Sequence, residues 1–86
     1  LNPKDASVQE FAGKIYYQLH EYKKAEKFFS EFIELSSEVS AEIYTLLAKS
    51  FVKQRKIDEA NLFLGLALQI DPAYQPAISA KGDLNN

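Results

Sequence analysis

Residues 41 to 72 read AEIYTLLAKSFVKQRKIDEANLFLGLALQIDP, and residues 6 to 37 read ASVQEFAGKIYYQLHEYKKAEKFFSEFIELSS. The two stretches share one pattern at a spacing of 35 residues, which aligns Gly13 with Ala48, Tyr16 with Phe51, Ala25 with Ala60, Phe29 with Leu64 and Ile33 with Leu68. Self-similarity at this period predicts a helical repeat, in which each unit buries an apolar face against the next. Stacked repeats usually build binding surfaces rather than catalytic sites.

Apolar residues recur at helical spacing in five segments separated by short polar breaks. They predict helices at about 6–19, 22–36, 40–53, 57–70 and 74–84. Asp5 is a predicted N-cap of the first helix, one of Ser36, Ser37 and Ser40 is a predicted cap of the third, and Asp71-Pro72 should end the fourth. Because the connections are short, successive helices should pack as antiparallel pairs, and the fold class is all-α.

Small and large residues alternate across the predicted helix pairs. Gly13 with Ala25, and Ala48 with Ala60, should let facing helices approach closely, while Phe29, Leu64, Tyr16 and Phe51 fill the space beside them. The apolar face of the first helix consists of Val8, Phe11, Ala12, Ile15, Tyr16 and Leu19.

The composition describes one small folded domain. The 86 residues are 47% hydrophobic, and their net charge of -2 disfavours non-specific nucleic-acid binding. Without cysteine the chain can form neither a disulfide nor a thiolate metal site, and no apolar run approaches the roughly 20 residues that span a membrane. The absence of methionine leads us to expect a fragment of a longer protein. The compartment stays open, with a cytoplasmic location favoured.

At these residues the chain resembles the tetratricopeptide repeat family. Residues 41–74 hold the expected size classes at Tyr44, Leu47, Ala48, Phe51, Ala60, Leu64, Ala67 and Pro72. Residues 6–39 diverge: Gln9 replaces an aromatic residue, Phe32 a small one and Ser37 a proline, and Phe11 is expected to fill the space beside Gln9.

The resemblance extends beyond these two repeats. Leu1-Asn2-Pro3 resembles the end of a preceding repeat, while Ile78 and Gly82 stand where a third repeat would begin. It implies a single domain over residues 1–86: two repeats and a terminal helix, stacked as a short right-handed α-solenoid.

Residue chemistry gives little support for an enzyme. His20 falls in a predicted turn, where an exposed role is more common than catalysis, and Glu21, Glu26, Glu31 and Glu34 are expected on an outer face beside lysines. The sequence contains no phosphate-binding glycine loop, no paired nucleophile and no metal-ligand spacing. We therefore expect no catalytic activity, no metal and no cofactor.

The resemblance implies that the first helix of each repeat lines a concave groove. It places Glu10, Lys14, Tyr17, Gln18, Thr45, Lys49, Val52 and Lys53 there. We expect a scaffold that binds a protein or peptide, acidic and with an apolar anchor, through Lys14, Tyr17, Gln18, Lys49, Val52 and Lys53. An ordinary solvated helix face is the alternative. Family members that bind chaperone carboxyl termini use five polar places that here hold Glu10, Lys14, Leu46, Pro76 and Ala80, so that activity is not expected.

Leu62 and Leu66 lie one turn apart on the fourth helix. Either they pack against the fifth helix, or they form an adhesive end for weak homo-oligomerisation. The second reading corresponds to another function, a structural spacer or self-association element without its own peptide ligand. Neither reading involves nucleic acid or a membrane.

Overall fold

The structure is a computed structural model that describes residues 5–85, all of whose regular elements are helices. They are α1 (Ala6–Gln18), α2 (Tyr22–Leu35), α3 (Ala41–Lys53), α4 (Ile57–Ile70) and α5 (Gln75–Leu84). The predicted boundaries agree within one residue, and the all-α class is confirmed. Leu1-Asn2-Pro3 lies outside the described residues.

The helix starts follow from side-chain caps. Asp5 Oδ1 accepts a hydrogen bond from the Ser7 backbone N–H at 3.0 Å, which, together with the Ser7 hydroxyl, lowers the pKa of the Asp5 carboxyl. Of the three candidate serines, Ser40 caps α3 by accepting from the N–H of Ile43 at 3.2 Å. Ser36 instead donates to the Glu38 carbonyl within the preceding turn.

Equivalent tight turns close the two helix pairs. His20 and Arg55 adopt left-handed backbone angles, with φ of 61° and 63°. The next N–H in each turn returns to the helix just completed, from Glu21 to the Tyr16 carbonyl and from Lys56 to the Phe51 carbonyl, both at 2.9 Å. These turns reverse the chain within three residues, so α2 and α4 start at once on the return path.

The helices pack in sequence order as a short solenoid. The largest contacts join α1 to α2 and α3 to α4, while α2 lies against α3 and α4 against α5. As a result, α3 contacts all four other helices. The buried residues are the predicted small ones, Gly13, Ala25, Ala48 and Ala60, together with larger side chains that include Phe29, Ile43, Leu47 and Leu64.

The expectations for Phe11 and Glu26 are wrong. Phe11 does not fill the space beside Gln9, because it is 68% exposed. The buried Gln9 Oε1 finds no hydrogen-bond partner among residues 5–85. Glu26 does not lie on the outer face. It is half-buried and accepts hydrogen bonds from Gln54 Nε2 at 2.9 Å and from Lys56 Nζ at 3.3 Å, so it ties α2 to the second repeat.

At Gly13 the first helix pair leaves no room for a side chain. A Cβ on Gly13 would lie 2.7 Å from two ring carbons of the fully buried Phe29. We therefore expect Gly13→Ala to reduce the free energy of unfolding by about 1–2 kcal/mol, despite alanine's better helix propensity. At the equivalent position of α5, a Cβ on Gly82 meets no atom within 4 Å, so Gly82→Ala should raise stability by about 0.5 kcal/mol. Urea unfolding measures the change in the free energy of unfolding for each variant. Changes of the same sign for Gly13→Ala and Gly82→Ala would contradict a steric role for Gly13.

Candidate partner-binding groove

The helix α3 contacts both α1 and α5, and residues of these three helices line an open groove of about 470 Å³. Its walls are formed by Tyr17 of α1, by Lys49, Val52 and Lys53 of α3, and by Pro76, Ser79, Ala80, Asp83 and Leu84 of α5. Four of the six residues predicted to bind a partner therefore meet in one place.

Helical geometry explains why these side chains converge. Tyr17 and Val52 occupy equivalent positions one repeat apart, so stacking brings their side chains to the same side of the solenoid. Lys49 and Lys53 lie one turn apart on α3 and therefore share its exposed face. The groove thus combines an apolar wall with two cationic groups.

Tyr17 is the aromatic group of the groove. It is half-buried, and its ring meets that of Tyr22 edge to face, with centroids 5.6 Å apart. Burial, and to a smaller extent the neighbouring Tyr22 hydroxyl, raises the pKa of Tyr17. The phenol therefore stays neutral at physiological pH and offers a ring face together with a hydroxyl that can donate or accept a hydrogen bond.

The charge of the groove is mixed. Lys49 is half-buried and Lys53 exposed, and within residues 5–85 neither takes part in an ion pair. Asp83 contributes a carboxylate from the opposite wall. A ligand therefore meets two positive groups on α3 and one negative group on α5.

Lys14 and Gln18 are not among the residues that line the groove. Lys14 Nζ forms ion pairs with Glu10 at 3.1 Å and with Glu42 at 3.3 Å. The bond to Glu10, opposed by partial burial and reinforced by Glu42, raises the pKa of Lys14. Two carboxylates of the same chain thus compensate the charge of Lys14. Gln18 is an exposed residue in the last turn of α1.

Thr45 is a wrong prediction, since it does not face the groove. It is 2% exposed, and its hydroxyl donates to the Ala41 carbonyl at 2.7 Å within α3. Of the five places that family members use for chaperone binding, Leu46 is partly buried against the core, while Pro76 and Ala80 line the groove. These three side chains offer no polar group to a carboxylate.

Sequence reasoning missed Asp83, Ser79 and Leu84 on the α5 wall. A usable signal existed, because Asp83 follows Lys49 by 34 residues and occupies the equivalent place in the incipient third repeat. Extending the register by one more helix would have placed a carboxylate in the groove.

The two leucines proposed for self-association lie on α4. Leu62 is 60% exposed, so α5 does not cover it, whereas Leu66 is half-buried. Leu62 occupies the position that the exposed Lys27 holds on α2, and it therefore lies on the outer side of its helix rather than between repeats.

Few groups offer other chemistry. In an exposed turn, His20 Nδ1 and the Tyr22 hydroxyl form a hydrogen bond of 2.6 Å. Among residues 5–85, no three histidine, aspartate or glutamate side chains are grouped so that they could hold a metal ion. In that same part of the chain, no helix has the length and apolar character needed to cross a membrane.

Comparison with known families agrees with this architecture. The sequence profile of the tetratricopeptide repeat matches residues 6–38 and again residues 41–74, which are α1 with α2 and α3 with α4. No curated protein sequence matches the chain. Tetratricopeptide repeats are non-catalytic scaffolds that generally mediate protein–protein interactions. Two consecutive matches cover most of the residues, and the chain therefore belongs to the tetratricopeptide repeat family.

Proposed function

We propose that this protein is an interaction scaffold whose groove between α1, α3 and α5 binds a peptide or helix of a partner protein. The observation that carries the proposal is the convergence of Tyr17, Lys49, Val52 and Lys53 on one open groove. A concave surface with an apolar wall and a few polar groups is the usual form of a ligand site.

The lining residues define the chemistry of the partner. Tyr17, Val52 and Leu84 provide a surface for one apolar anchor. Lys49 and Lys53 favour an acidic residue beside that anchor, because both are cationic and neither forms an ion pair within residues 5–85. Asp83 adds a requirement for a basic or hydrogen-bond-donating group toward α5. The partner segment is therefore acidic, with an apolar anchor and a donor on its α5 side.

The lysines and Tyr17 are expected to contribute unequally to the free energy of partner binding. Each lysine should contribute about 0–1 kcal/mol, because water and salt screen exposed charges. Tyr17 should contribute about 1–2 kcal/mol when a ligand covers its ring. Lys14 should contribute less than Lys49, since Glu10 and Glu42 already compensate its charge.

A displayed library of random peptides, selected on the whole chain, would test the proposal. We expect enriched peptides to combine an aromatic or aliphatic residue with neighbouring aspartate or glutamate. Fluorescence anisotropy with one such peptide should show a roughly 5- to 30-fold loss of affinity for Tyr17→Ala. Lys49→Glu should also weaken binding, more strongly at low salt than at high salt, because it reverses a steering charge.

The matched control is Lys23→Glu, which reverses the charge of an exposed lysine on α2, away from the groove. It has the same net charge as Lys49→Glu and should leave affinity nearly unchanged. Equal losses of affinity in Lys49→Glu and Lys23→Glu would show that the effect comes from the net charge of the protein and not from the position of Lys49. If Tyr17→Ala and Lys49→Glu both keep full affinity for the peptide, the peptide does not bind in this groove.

The second candidate function is self-association without a peptide ligand. The exposure of Leu62 on the outer side of α4 favours it, with Leu66 beside it. Sedimentation equilibrium distinguishes the two candidates. A concentration-dependent mass that Leu62→Gln abolishes supports self-association, whereas a monomer that captures peptides supports the groove.

A further inference from the structure

A second concave surface lies where the first repeat connects to the second, here called the loop edge. It consists of residues 36–40 with the adjoining ends of α2, α3 and α4. Two hollows of about 510 and 430 Å³ open there, and Glu38, Val39 and Ile70 line both of them. None of the residues that line either hollow lines the groove between α1, α3 and α5. The loop edge is therefore a separate surface.

The loop edge offers an apolar surface to a ligand. Ile70, the last residue of α4, is 57% exposed. Val39 and Tyr44 are half-buried and line the same hollow as Ile70. The Tyr44 ring is stacked on that of Phe63, with centroids 6.0 Å apart, which restrains it from the side of the core. Together these side chains can receive one aliphatic side chain of a ligand.

The connection that forms one wall of the hollows is held in place by its own hydrogen bonds. The Ser36 hydroxyl donates to the Glu38 carbonyl and accepts from the Glu38 N–H at 3.2 Å. The next residue, Val39, packs against the core, and Ser40 caps α3. A ligand would therefore lose little affinity to the ordering of this connection.

The loop edge is acidic because charge is segregated along the helices. Antiparallel helix pairs put the turns after α1 and α3 at one edge and the connections after α2 and α4 at the other. Residues 28–48, which run from the middle of α2 to the middle of α3, contain four glutamates and no basic residue. The opposite edge, at the hairpin turns, holds Lys23, Lys24, Lys53, Arg55 and Lys56. The loop edge therefore attracts cationic segments.

The carboxylates that line the hollows remain available to a ligand. Glu38 is exposed and forms no ion pair within residues 5–85. Glu10 lines the second hollow and shares Lys14 with Glu42, so one lysine faces two carboxylates. A cationic ligand would thus meet the full charge of Glu38 and part of the charge of Glu10.

We propose that the loop edge is a second docking site, which binds a segment of a partner protein with an aliphatic side chain flanked by lysine or arginine. The aliphatic side chain contacts Ile70, Val39 and Tyr44, and the flanking cations lie near Glu38 and Glu10. The proposal is independent of the function proposed for the groove. Acidic segments suited to the groove are repelled by the loop edge, so the two sites can be measured separately.

A second copy of the chain matches this chemistry less well. Its basic residues at the hairpin-turn edge are accompanied by Glu21, Asp58 and Glu59. One of them, Lys56, is already paired with Glu26 at 3.3 Å. A segment in which basic residues directly flank an aliphatic one has no such opposing charges.

The test uses a fluorescent synthetic peptide in which a central leucine lies between pairs of arginines. Its binding to the whole chain, followed by fluorescence anisotropy, should be saturable and should weaken as salt is added. Replacing the leucine of the peptide by serine should weaken binding about 3- to 10-fold, because an apolar contact is lost. Replacing the arginines by glutamates should abolish binding.

Two exposed residues of the loop edge serve for the matched variants. Ile70→Ser and Glu38→Lys should each weaken binding of the arginine peptide about 3- to 10-fold. Ile57→Ser and Glu59→Lys make the same changes at exposed positions of the hairpin-turn edge and should leave affinity nearly unchanged. Each control has the net charge of its counterpart, and circular dichroism verifies the fold of all four variants.

Selective losses in Ile70→Ser and Glu38→Lys would support the proposal. It would be overturned by an absence of saturable binding, or by losses in Ile57→Ser and Glu59→Lys that equal those at the loop edge. A loss in Tyr17→Ala would place the arginine peptide in the groove and would also overturn the proposal. Sedimentation of the chain alone checks the occupant. A concentration-dependent mass that Glu38→Lys abolishes would assign the loop edge to a second copy instead.

Discussion

Replacing Phe29 by alanine is expected to reduce the free energy of unfolding by about 3–5 kcal/mol, a large part of the stability of so small a domain. Phe29 is fully buried between the two repeats, in the cluster that includes Ala25, Ile43 and Leu47. Truncation removes the ring from this cluster and leaves a cavity that the surrounding helices can only partly close. Denaturant unfolding followed by circular dichroism measures the loss.

Phe11→Ala provides a control with the same chemical change. Phe11 is 68% exposed, so its replacement should alter the free energy of unfolding by less than about 0.5 kcal/mol. The difference between the two variants isolates burial from side-chain type. Similar losses in both variants would mean that Phe29 and Phe11 are buried to a similar extent.

Ala25→Leu and Ala60→Leu should destabilise the fold in the opposite way, by overfilling it. Both alanines are fully buried, and they occupy equivalent positions in the two helix pairs. Leucine adds three carbon atoms that must displace a neighbouring helix or adopt a strained rotamer. We expect a loss of about 1–3 kcal/mol or more for each substitution.

Gln69→Leu introduces the same residue on the exposed side of α4 and should change stability by less than about 0.5 kcal/mol. Thermal unfolding of the three variants beside the parent chain is sufficient. If Ala25→Leu and Ala60→Leu unfold at the temperature of the parent chain, the two helix pairs have room for larger side chains at these positions.

The fold was predictable because local and long-range signals coincide. The same 35-residue spacing that aligns Ala25 with Ala60 also aligns the turns at His20 and Arg55, so periodicity and chain reversal give the same helix boundaries. Each helix also has an apolar face that can be read from its own sequence. These two signals are nearly sufficient to predict a fold in which each helix packs against the next.

The errors concern which neighbour covers a given face. The strip containing Phe11 reads as a core face by periodicity alone, yet no helix of residues 5–85 covers it. Glu26 looks like one of several solvated glutamates until Gln54 approaches it from another repeat. Such contacts depend on how repeats are placed on one another, which single-helix patterns do not contain.

The candidate groove was predictable in part for the same reason. Lys49, Val52 and Lys53 share one helix, and Tyr17 joins them through the repeat register. The compensation of Lys14 depends on Glu42, a residue 28 positions away whose approach requires the stacked structure. The acidic wall required the register to be continued to Asp83.

The central place of α3 has a consequence for local opening. This helix contacts all four other helices, whereas α1 and α5 lie at the two ends of the stack and contact fewer, so transient separation should begin at those ends. The groove draws its walls from the protected centre and from both outer helices. A ligand in the groove would contact α1, α3 and α5 together and would therefore disfavour separation of the two terminal helices from α3. The ordering of these helices would reduce the net free energy of binding.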